Sequence, residues 1–523
     1  MMKPRKVVSG ICDATHVYKP CRCKINVAVF AGCVAVSTCS WTTAHRPTSK
    51  GARVKISRRN ALRGIAGFAA SPIQFRAAVW AQPTTSAAST HLGNPIVPGV
   101  GLCDPHVRIF NNSAYLYATH DASPSNHSFV MNDWWVWRSE DLANWERVST
   151  LLPEQTYWGK PMSHCWATDA ISASGQYFFY FSRGSEEIGV VQGNSPAGPW
   201  HDPLGAPLIA AGSTPTTARD PGIFQEQDGQ TYIVFGVWDF YIAKLADSMI
   251  ALAEKPRKVI IDQNCGPYGL GKTDDKPYLH KRNSIYYLSW GCYYATSNDV
   301  YGPYVYKGSV IDAAHTGSPF GNTSSQPNRD YDQLTYDRHG SFFEFHGQWY
   351  FTCNDQASPE TQIYFRDSII SYVRYRNNGD IAPIVIDADG VAGYSAVSRI
   401  VPAANFHSGT HAVVAESLDG SFDVRGLSTS SLLTYPNIRD FGTAAGIKLH
   451  VSCVAPRGGV IEVHSYPNPG RILATVVVPS TGGPEEYRTF RATLHNHSKR
   501  SGVELRFRTH EVGSLRLKWF QID

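Results

Sequence analysis

The chain of 523 residues lacks several features that would assign it to a functional class directly. It contains no apolar run of 18 residues or more, so no membrane-spanning helix is expected. It also contains no His-Glu-x-x-His, no paired Cys-x-x-Cys and no Gly-x-Ser-x-Gly, which are the motifs of metalloproteases, zinc sites and α/β-hydrolases. A disulfide-held, metal-dependent hydrolase is therefore a poor fit.

Helical periodicity is scarce as well. From about Leu92 to Ile384, short alternating or aromatic runs are separated by Gly, Asn, Asp and Pro turns, and no long 3.6-residue period interrupts them. Aromatic residues make up 12% of the chain, a composition that suits both β-sheet cores and the flat faces of sugar rings. The pattern predicts an all-β protein.

Excess positive charge is confined to the N-terminal part of the chain. Residues 1–81 contain 14 Lys and Arg residues and one Asp, whereas the remainder contains 34 basic and 42 acidic residues. The predicted folded part is therefore net negative, and nothing in it indicates a nucleic-acid partner.

Residues 1–91 are predicted to form a leader and a linker. The run SRRNALRGIAGFAA from Ser57 places paired arginines before a short apolar stretch, as in a twin-arginine export signal. Val79 and Ala81 provide small residues for cleavage near Gln82. A basic disordered tail is the alternative. We expect an exported protein, periplasmic or secreted.

One sequence plan occurs five times in the chain. A carboxylate or histidine opens a short apolar run, a polar turn follows, and an aromatic-rich strand closes the unit. The five copies open at Asp104, Asp169, Asp220, Asp275 and His339. These positions are 65, 51, 55 and 64 residues apart, about the length of a four-stranded blade with long loops. The spacing predicts a five-bladed β-propeller over residues 92–390, with the opening residues meeting in one axial funnel.

Several motifs in this region occur in the same order as in a known enzyme family. They are Asp104-Pro105, MNDWWVWRSEDLANW from Met131, Trp166-Ala167-Thr168-Asp169, Arg219-Asp220-Pro221 and His339 before the last inner strand. Together they resemble glycoside hydrolase family 43, five-bladed propeller enzymes of plant cell-wall breakdown. The resemblance implies a glycosidase, acting with inversion on arabinose- or xylose-containing glycans as an α-L-arabinofuranosidase or β-xylosidase does.

The resemblance also assigns roles to aspartates. Inversion requires one ionised carboxyl group to activate water and one protonated carboxyl group to protonate the leaving oxygen. Asp104 matches the general base, and Asp220 matches the residue that orients the acid and raises its pKa. Where the family usually has Glu-Gly-Pro, this chain has Asp275-Lys276-Pro277. Either Asp275 is a shorter acid, or Asp274 is the acid with the register shifted by one, or the acid lies elsewhere.

The remaining site predictions concern binding. Trp166 and Trp134 are candidates for the pocket wall, although burial in the core is at least as expected for each. Arg366 matches an arginine that binds substrate hydroxyls. Asp169 is expected either to bind backbone N–H groups of neighbouring loops or to contact substrate. His339 matches a position that holds an axial ion through water, for which Ca²⁺ is the expected ion. No cofactor is required for the chemistry.

Residues 391–523 are predicted to form a β-sandwich. The stretches RDFGTAAGIKLHV and SLRLKWFQID resemble the jelly-roll carbohydrate-binding module of family 6. Two of the family's sites are altered, because its sugar-stacking Trp after Thr-Gly-Gly is Pro484 here and its calcium-binding Glu-Ala-Glu is Pro402-Ala403-Ala404. Tyr435 and Tyr487 are candidates for a replacement sugar platform.

Two other functions are compatible with the sequence. One is a non-catalytic sugar-binding propeller in which the change from Glu to Asp has ended turnover, and the other is a galactan-cleaving member of the same family. A purely structural propeller is less expected, since it has no need of acidic residues at the start of successive inner strands. In the first two cases, as in the leading one, the partner is a polysaccharide or oligosaccharide.

Overall fold

The computed structural model describes most of the chain beyond the predicted leader. The described residues are 88–89, 91–311, 338–355, 364–439, 441–495 and 502–523. The predicted export signal and cleavage site lie outside them. As predicted, the described residues are mainly β, and their helical segments are four single 3-10 turns: Pro153–Gln155, Gly266–Tyr268, Ala403–Asn405 and Phe441–Thr443. None of the helical segments in these ranges has the length and apolar character needed to cross a bilayer.

Five antiparallel sheets follow one another along the first part of the described chain. Their strands are β1 (Ala88–Ser89), β2 (Leu102–Phe110), β3 (Ser113–Asp121), β4 (Met131–Ser139) and β5 (Trp145–Leu151) in the first sheet; β6 (Cys165–Ala173), β7 (Gln176–Arg183) and β8 (Glu187–Gly193) in the second; β9 (Gly222–Gln225), β10 (Thr231–Val237), β11 (Asp239–Lys244) and β12 (Arg257–Lys258) in the third; β13 (Tyr278–Arg282), β14 (Ile285–Trp290), β15 (Tyr293–Ser297) and β16 (Val305–Ser309) in the fourth; and β17 (Gly340–Phe345), β18 (Gln348–Asp355) and β19 (Asp367–Val373) in the fifth. From β2 onward, strands that are consecutive along the chain are neighbours within each sheet.

The five sheets are joined by hydrophobic clusters between consecutive members. Each cluster draws residues from two sheets: Tyr117 and Phe179 join the first to the second, Tyr180 and Phe235 the second to the third, and Phe240 and Trp290 the third to the fourth. Tyr287 and Phe351 join the fourth sheet to the fifth, and Trp137 and Tyr350 join the fifth back to the first. The first strands β2, β6, β9, β13 and β17 also contact one another in this order, and β17 contacts β2.

A buried ion pair links three of these first strands. Arg108 in β2 donates through Nε to Asp169 Oδ1 in β6 at 2.8 Å, and through Nη2 to Asp169 Oδ2 and to the carbonyl oxygen of Ile223 in β9. Asp169 Oδ2 also accepts the Ile223 N–H at 2.7 Å. Burial alone would raise the pKa of Asp169, but Arg108 and then His106 hold it well below its usual range. The Asp169 carboxylate is therefore a charged anchor in the interior.

The C-terminal part of the described chain forms two sheets that enclose a single hydrophobic core. One sheet contains β20 (Ile400–Pro402), β22 (Val413–Glu416), β23 (Phe422–Arg425), β25 (Gly446–Cys453), β28 (Arg488–Thr493) and β30 (Leu515–Ile522), and the other contains β21 (Ser408–Thr410), β24 (Leu432–Tyr435), β26 (Gly459–Tyr466), β27 (Ile472–Val478) and β29 (Gly502–Thr509). Tyr435 is fully buried in the shared core and donates its hydroxyl to the Ala403 carbonyl at 2.7 Å. The expectation that Tyr435 forms a sugar platform is therefore wrong.

Arg374, just beyond β19, connects the fifth sheet to this C-terminal part. Its Nη1 donates to Gln348 Oε1 at 2.9 Å, and its Nη2 donates to the Ala404 carbonyl at 2.5 Å and to Asn405 Oδ1 at 3.0 Å. Gln348 Nε2 donates to the same Ala404 carbonyl at 2.7 Å. Burial lowers the pKa of Arg374 to about 10. The part-buried guanidinium of Arg374 thus binds both parts at once.

The six cysteines that follow the predicted leader are all buried and form no disulfides. They are Cys103, Cys165, Cys265, Cys292, Cys353 and Cys453. They fill small buried positions in the sheets and loops, as reduced cysteine commonly does.

Replacing Asp169 by Ala should strongly destabilise the fold. The change leaves the Arg108 charge without its carboxylate, and breaking one partner of a buried pair costs about 3 to 5 kcal/mol. Urea unfolding followed by tryptophan fluorescence measures the difference. Glu140→Ala is the matched control, because Glu140 pairs with Arg138 but its side chain is 71% exposed, and such pairs contribute at most about 1 kcal/mol. Equal losses in the two variants would contradict the role given to Asp169.

Candidate active site

A cavity of about 270 Å³ lies where the first strands of the five sheets begin. One lining residue comes from the start of each sheet: Asp104, Trp166, Asp220, Asp275 and His339. This volume is slightly below the range of about 300 to 1,000 Å³ for pockets that take drug-sized ligands. The cavity therefore suits a ligand the size of one sugar unit.

The backbone directs the Asp104 carboxylate into the cavity. The β2 register shifts between Cys103 and His106, and Asp104 within this bulge has φ of +52°, in the left-handed region. Asp104 Oδ1 accepts hydrogen bonds from Asn354 Nδ2 at 2.8 Å and from Arg366 Nη1 at 3.1 Å. The Asp104 N–H donates to Asn354 Oδ1 at 2.6 Å. These donors stabilise a negative charge on Asp104.

Arg366 lines the cavity next to Asp104. Its guanidinium donates hydrogen bonds to two carboxylates, those of Asp104 and Asp121. Its Nε donates to Asp121 Oδ2 at 3.0 Å and its Nη2 to Asp121 Oδ1 at 3.1 Å, a two-point contact. The Arg366 N–H also donates to Asp121 Oδ2 at 2.8 Å. The structure thus shows Arg366 holding Asp104 in place, whereas its predicted contact with substrate hydroxyls stays a prediction.

Asp220 retains its proton more strongly than Asp275 does. It has φ of +57°, its N–H donates to Ser182 Oγ at 2.8 Å, and its Oδ2 accepts the Lys276 N–H at 3.1 Å. Burial, and next the negative charge of Asp275, raise the pKa of Asp220 to about 7. Asp220 therefore holds a proton for a substantial part of the time at neutral pH.

Asp275 has the opposite surroundings. Arg219 Nη2 donates to its Oδ2 at 2.8 Å, and His339 Nε2 lies 2.9 Å from its Oδ1. Burial would raise its pKa, but His339 and then Arg219 hold the pKa of Asp275 well below its usual range. Without substrate, Asp275 is an ion-paired carboxylate.

Asp274, the alternative acid, also lines the cavity. Its Oδ2 accepts the Tyr268 hydroxyl at 2.7 Å. Both candidates thus reach the same space, and the geometry does not select one of them. The identity of the general acid stays a prediction.

His339 lines the cavity and lies beside one of its carboxylates. Its Nε2 faces Asp275, in the cavity itself. In the parts of the chain that the structure describes, no group of three or more His, Cys, Asp or Glu side chains is arranged to hold a metal ion. Calcium takes six to eight oxygen ligands, and a histidine paired with one carboxylate does not supply that set. The predicted role of His339 in holding an axial ion through water stays a prediction.

Two residues predicted to bind substrate lie away from the cavity lining. Trp134 is fully buried, because β4 is an inner part of the first sheet, and its Nε1 donates to the Trp166 carbonyl at 2.8 Å. Asp169 lies within β6, beyond a bulge that follows Trp166, and its carboxylate is bound by Arg108. In the second sheet, Trp166 rather than Asp169 reaches the cavity.

Three further residues around the cavity were not found from the sequence. Asn354 orients Asp104 as described above. Trp238, with φ of +63° and 48% exposed, forms part of the wall with Tyr268, their ring centroids 6.1 Å apart. The Lys276 side chain is only 1% exposed and also lines the cavity. The substitution of Lys for Gly in the Asp-Lys-Pro motif was the available signal for Lys276.

The arrangement combines the two groups that glycosidic hydrolysis needs. A carboxylate stabilised by cationic and amide donors faces the same small space as a carboxyl group that retains a proton near neutral pH. In glycosidases, different surroundings give neighbouring carboxyl groups different pKa values, so that one acts as the acid and the other as the base. Acid–base hydrolysis of a glycoside is within the reach of this cavity.

Family models match both parts of the chain. The model of glycosyl hydrolases family 43 matches residues 92–381, more than half of the chain, and the model of carbohydrate binding module family 6 matches residues 403–523. These ranges agree with the two regions in which the sequence motifs were found.

Individual relatives carry glycosidase names. A β-D-galactofuranosidase of Aspergillus niger is 29% identical over 324 residues, 59% of this chain and 89% of that protein. An arabinoxylan arabinofuranohydrolase of Paenibacillus polymyxa is 25% identical over 484 residues, 81% of this chain and 73% of that protein. Among solved structures, an arabinoxylan arabinofuranohydrolase from Bacillus subtilis in complex with cellotetraose has a TM-score of 0.46 and 21% identity, covering 83% of this chain and 96% of that one.

Asp220→Asn should change how stability depends on pH. The pKa of Asp220 is about 7 in the folded protein and about 4 in an unfolded chain. The folded state therefore binds the proton more tightly, and the free energy of unfolding falls as pH rises from about 4 to 7. The fall is at most about 1.4 kcal/mol per pH unit, and it should be missing from the variant. Urea unfolding at pH 5, 6, 7 and 8 measures it.

Asp247→Asn is the control for this experiment, because Asp247 is exposed. It removes one carboxylate from the chain without touching the cavity. A stability difference between the native chain and Asp220→Asn that is constant over the four pH values would contradict a raised pKa at Asp220.

Proposed function

The chain belongs to glycosyl hydrolases family 43, and from this membership we propose that it releases α-L-arabinofuranosyl or β-D-xylosyl units from plant cell-wall glycans. It is a glycosidase, as are its named relatives. Other relatives are named xylosidase/arabinosidase, from Bacteroides ovatus and Humicola insolens. The observation that carries the proposal is the cavity in which Asp104, Asp220 and Asp275 meet with unlike surroundings.

Asp104 is proposed as the general base. Its carboxylate lies in the cavity and is stabilised in the charged form by Arg366 and Asn354. A charged carboxylate at this position can take a proton from a water molecule as that water attacks the anomeric carbon. Attack by water opposite the leaving oxygen inverts the anomeric configuration.

Asp275 is proposed as the group that protonates the leaving oxygen, with Asp274 as the alternative. Asp275 is the more accessible member of its pair, since its side chain is 24% exposed and that of Asp220 is 7% exposed. The two carboxyl groups are close enough for the charge on one to raise the pKa of the other. The titrations of the two groups are linked, and Asp220 is proposed as the residue that orients Asp275 and raises its pKa.

A five-bladed β-propeller is the proposed architecture of residues 92–390. Its support is the series of five sheets, the hydrophobic cluster between each consecutive pair, and the contact of β17 with β2. A closed ring of this kind brings the starts of all first strands to one end of the axis. Residues 391–523 are proposed as a jelly-roll sandwich, with the boundary at residue 391 resting on sequence alone.

Export is proposed from the twin-arginine-like segment at Ser57, which lies outside the described residues. A cell-wall polysaccharide is too large to enter a cell intact, so an enzyme acting on it has to be placed outside. The polysaccharide itself is the proposed partner, supported by the match to a carbohydrate-binding module.

A β-D-galactofuranosidase is the second candidate function. It is favoured by the Aspergillus niger relative, which carries that name at 29% identity. Galactofuranose and arabinofuranose share a five-membered ring, so one small cavity can suit either sugar. The choice between them depends on the group at the exocyclic carbon, and a direct assay separates them.

The first expected outcome is hydrolysis that depends on Asp104. The chain from Gln82 should release 4-nitrophenol from the α-L-arabinofuranoside, the β-D-xyloside or the β-D-galactofuranoside. Asp104→Asn should lower kcat by about 10²- to 10⁴-fold, the usual contribution of a general base, while circular dichroism stays unchanged. Asp228→Asn, in an exposed turn, is the control. Sugar binding without release from any substrate would instead support a non-catalytic propeller.

The second expected outcome identifies the acid. Asp275→Ala should retain activity on a 2,4-dinitrophenyl glycoside, whose leaving group needs no proton, and lose it on arabinan or xylo-oligosaccharide. Asp274→Ala should lower both activities by a similar factor or leave both intact. If the leaving-group dependence follows Asp274→Ala instead, the acid assignment moves to Asp274.

A further inference from the structure

Lys276 has a buried amino group without a hydrogen-bond acceptor among the described residues. Its side chain is 1% exposed and lines the cavity, and its Nζ makes no hydrogen bond. The nearest carboxylate oxygen, Asp104 Oδ1, is 3.9 Å away, which is beyond hydrogen-bond distance. An ammonium group carries three N–H donors, and leaving all of them buried and unused is unfavourable.

The backbone at Lys276 is also held in an unfavourable conformation. Its φ is +49°, which glycine adopts freely and a residue with a Cβ adopts at a cost. Its N–H donates to Asp220 Oδ2 at 3.1 Å, which fixes the residue against the carboxyl pair. Strained residues of this kind concentrate at ligand sites. The strained backbone of Lys276 and the unused donors of its amine both indicate that Lys276 binds a ligand in this cavity.

A role as counter-ion alone does not account for Lys276. The Asp104 carboxylate already receives hydrogen bonds from Asn354 and Arg366, and Asp220 is the group whose burial favours its neutral form. Burial lowers the pKa of Lys276, although Asp104 and Asp220 oppose this shift and Arg366 adds to it. The amine therefore lies among groups that have their own partners, with its donors still available.

We propose that the Lys276 amine donates a hydrogen bond to one hydroxyl group of the sugar unit held beside Asp104 and so selects sugars that present a hydroxyl there. The proposal deepens the glycosidase function and rests on it for the class of ligand. A neutral sugar fits better than a uronic acid, because the charges of Asp104, Asp274 and Asp275 balance those of Arg219, Lys276 and Arg366 in the lining and leave no surplus positive charge for a further carboxylate.

Binding of free L-arabinose and D-xylose to the chain from Gln82, measured by titration calorimetry, is the first test. Lys276→Met keeps the length of the side chain without its donors, and Lys276→Gly also relieves the backbone. Both variants should bind the preferred sugar about 10- to 100-fold more weakly, as expected for loss of a hydrogen bond from a charged donor. Lys272→Met is the control, since Lys272 is 45% exposed and pairs with Asp239.

A deoxy-sugar series separates a direct contact from a general effect of the charge. Binding of the 2-deoxy and 3-deoxy forms of the preferred sugar is compared between the native chain and Lys276→Met, together with the 4-deoxy form for a pyranose or the 5-deoxy form for a furanose. One deoxy sugar should bind both proteins equally, because the hydroxyl that Lys276 contacts is already absent from it. Equal losses for every sugar would assign Lys276 a purely electrostatic role and overturn the proposal.

Other outcomes are equally decisive. D-glucuronate binding more tightly than D-xylose, with this preference lost in Lys276→Met, would replace the neutral-sugar assignment by an anionic one. No binding of any neutral sugar by the native chain would overturn the proposal. If the native chain hydrolyses glycosides and the Lys276 variants bind sugar as tightly as it does, the proposed function stands and the role of Lys276 is refuted. If sugar binding depends on Lys276 but no glycoside is hydrolysed, the role of Lys276 stands and the proposed function is refuted.

Discussion

The buried ion pair between Arg108 and Asp169 is the interaction on which the site geometry depends. It ties β2, β6 and β9 together at one level. A few residues before these contacts in each strand come Asp104, Trp166 and Asp220, which line the cavity. The anchor fixes the three strands relative to one another, and the bulges that follow Cys103 and Trp166 then set how Asp104 and Trp166 turn into the cavity.

The protonation states of the aspartates in the cavity depend on which donors surround each of them. Each aspartate meets a different combination of donors, so groups of the same type take different protonation states within one small volume. Asp275 is charged by its pairing with Arg219 and His339, and that charge in turn favours a proton on buried Asp220. The two titrations are therefore linked, and a substitution at either position is expected to alter both.

The sequence repeats predicted which strand starts meet, but not how deep each side chain lies. Asp104, Asp220, Asp275 and His339 line the cavity as openers of successive units. Asp169 does not, because a bulge near Trp166 places it further along β6. Bulges depend on local pairing with the neighbouring strand, which a single sequence does not encode as a visible pattern. The burial of Trp134 could not be predicted either, since aromatic residues occur both in cores and in sugar pockets.

Lys276 illustrates what a motif comparison overlooks when it follows acidic residues alone. Attention to the change from Glu to Asp leaves the adjoining change from Gly to Lys without an interpretation, although the second adds a charge and a side chain to the cavity. Only the burial of that amine and its left-handed backbone make the change conspicuous.

The junction formed by Arg374 gives the C-terminal sandwich a reason to persist that is independent of carbohydrate. Arg374 and Gln348 both depend on the Ala404 carbonyl for hydrogen bonds. Truncation before residue 403 would remove the Ala404 carbonyl, Asn405 Oδ1 and the Phe406 carbonyl as acceptors, and it would leave Arg374 with Gln348 Oε1 and the Val373 carbonyl. Loss of sugar binding by the C-terminal part would leave this junction intact, whereas loss of the C-terminal part would not.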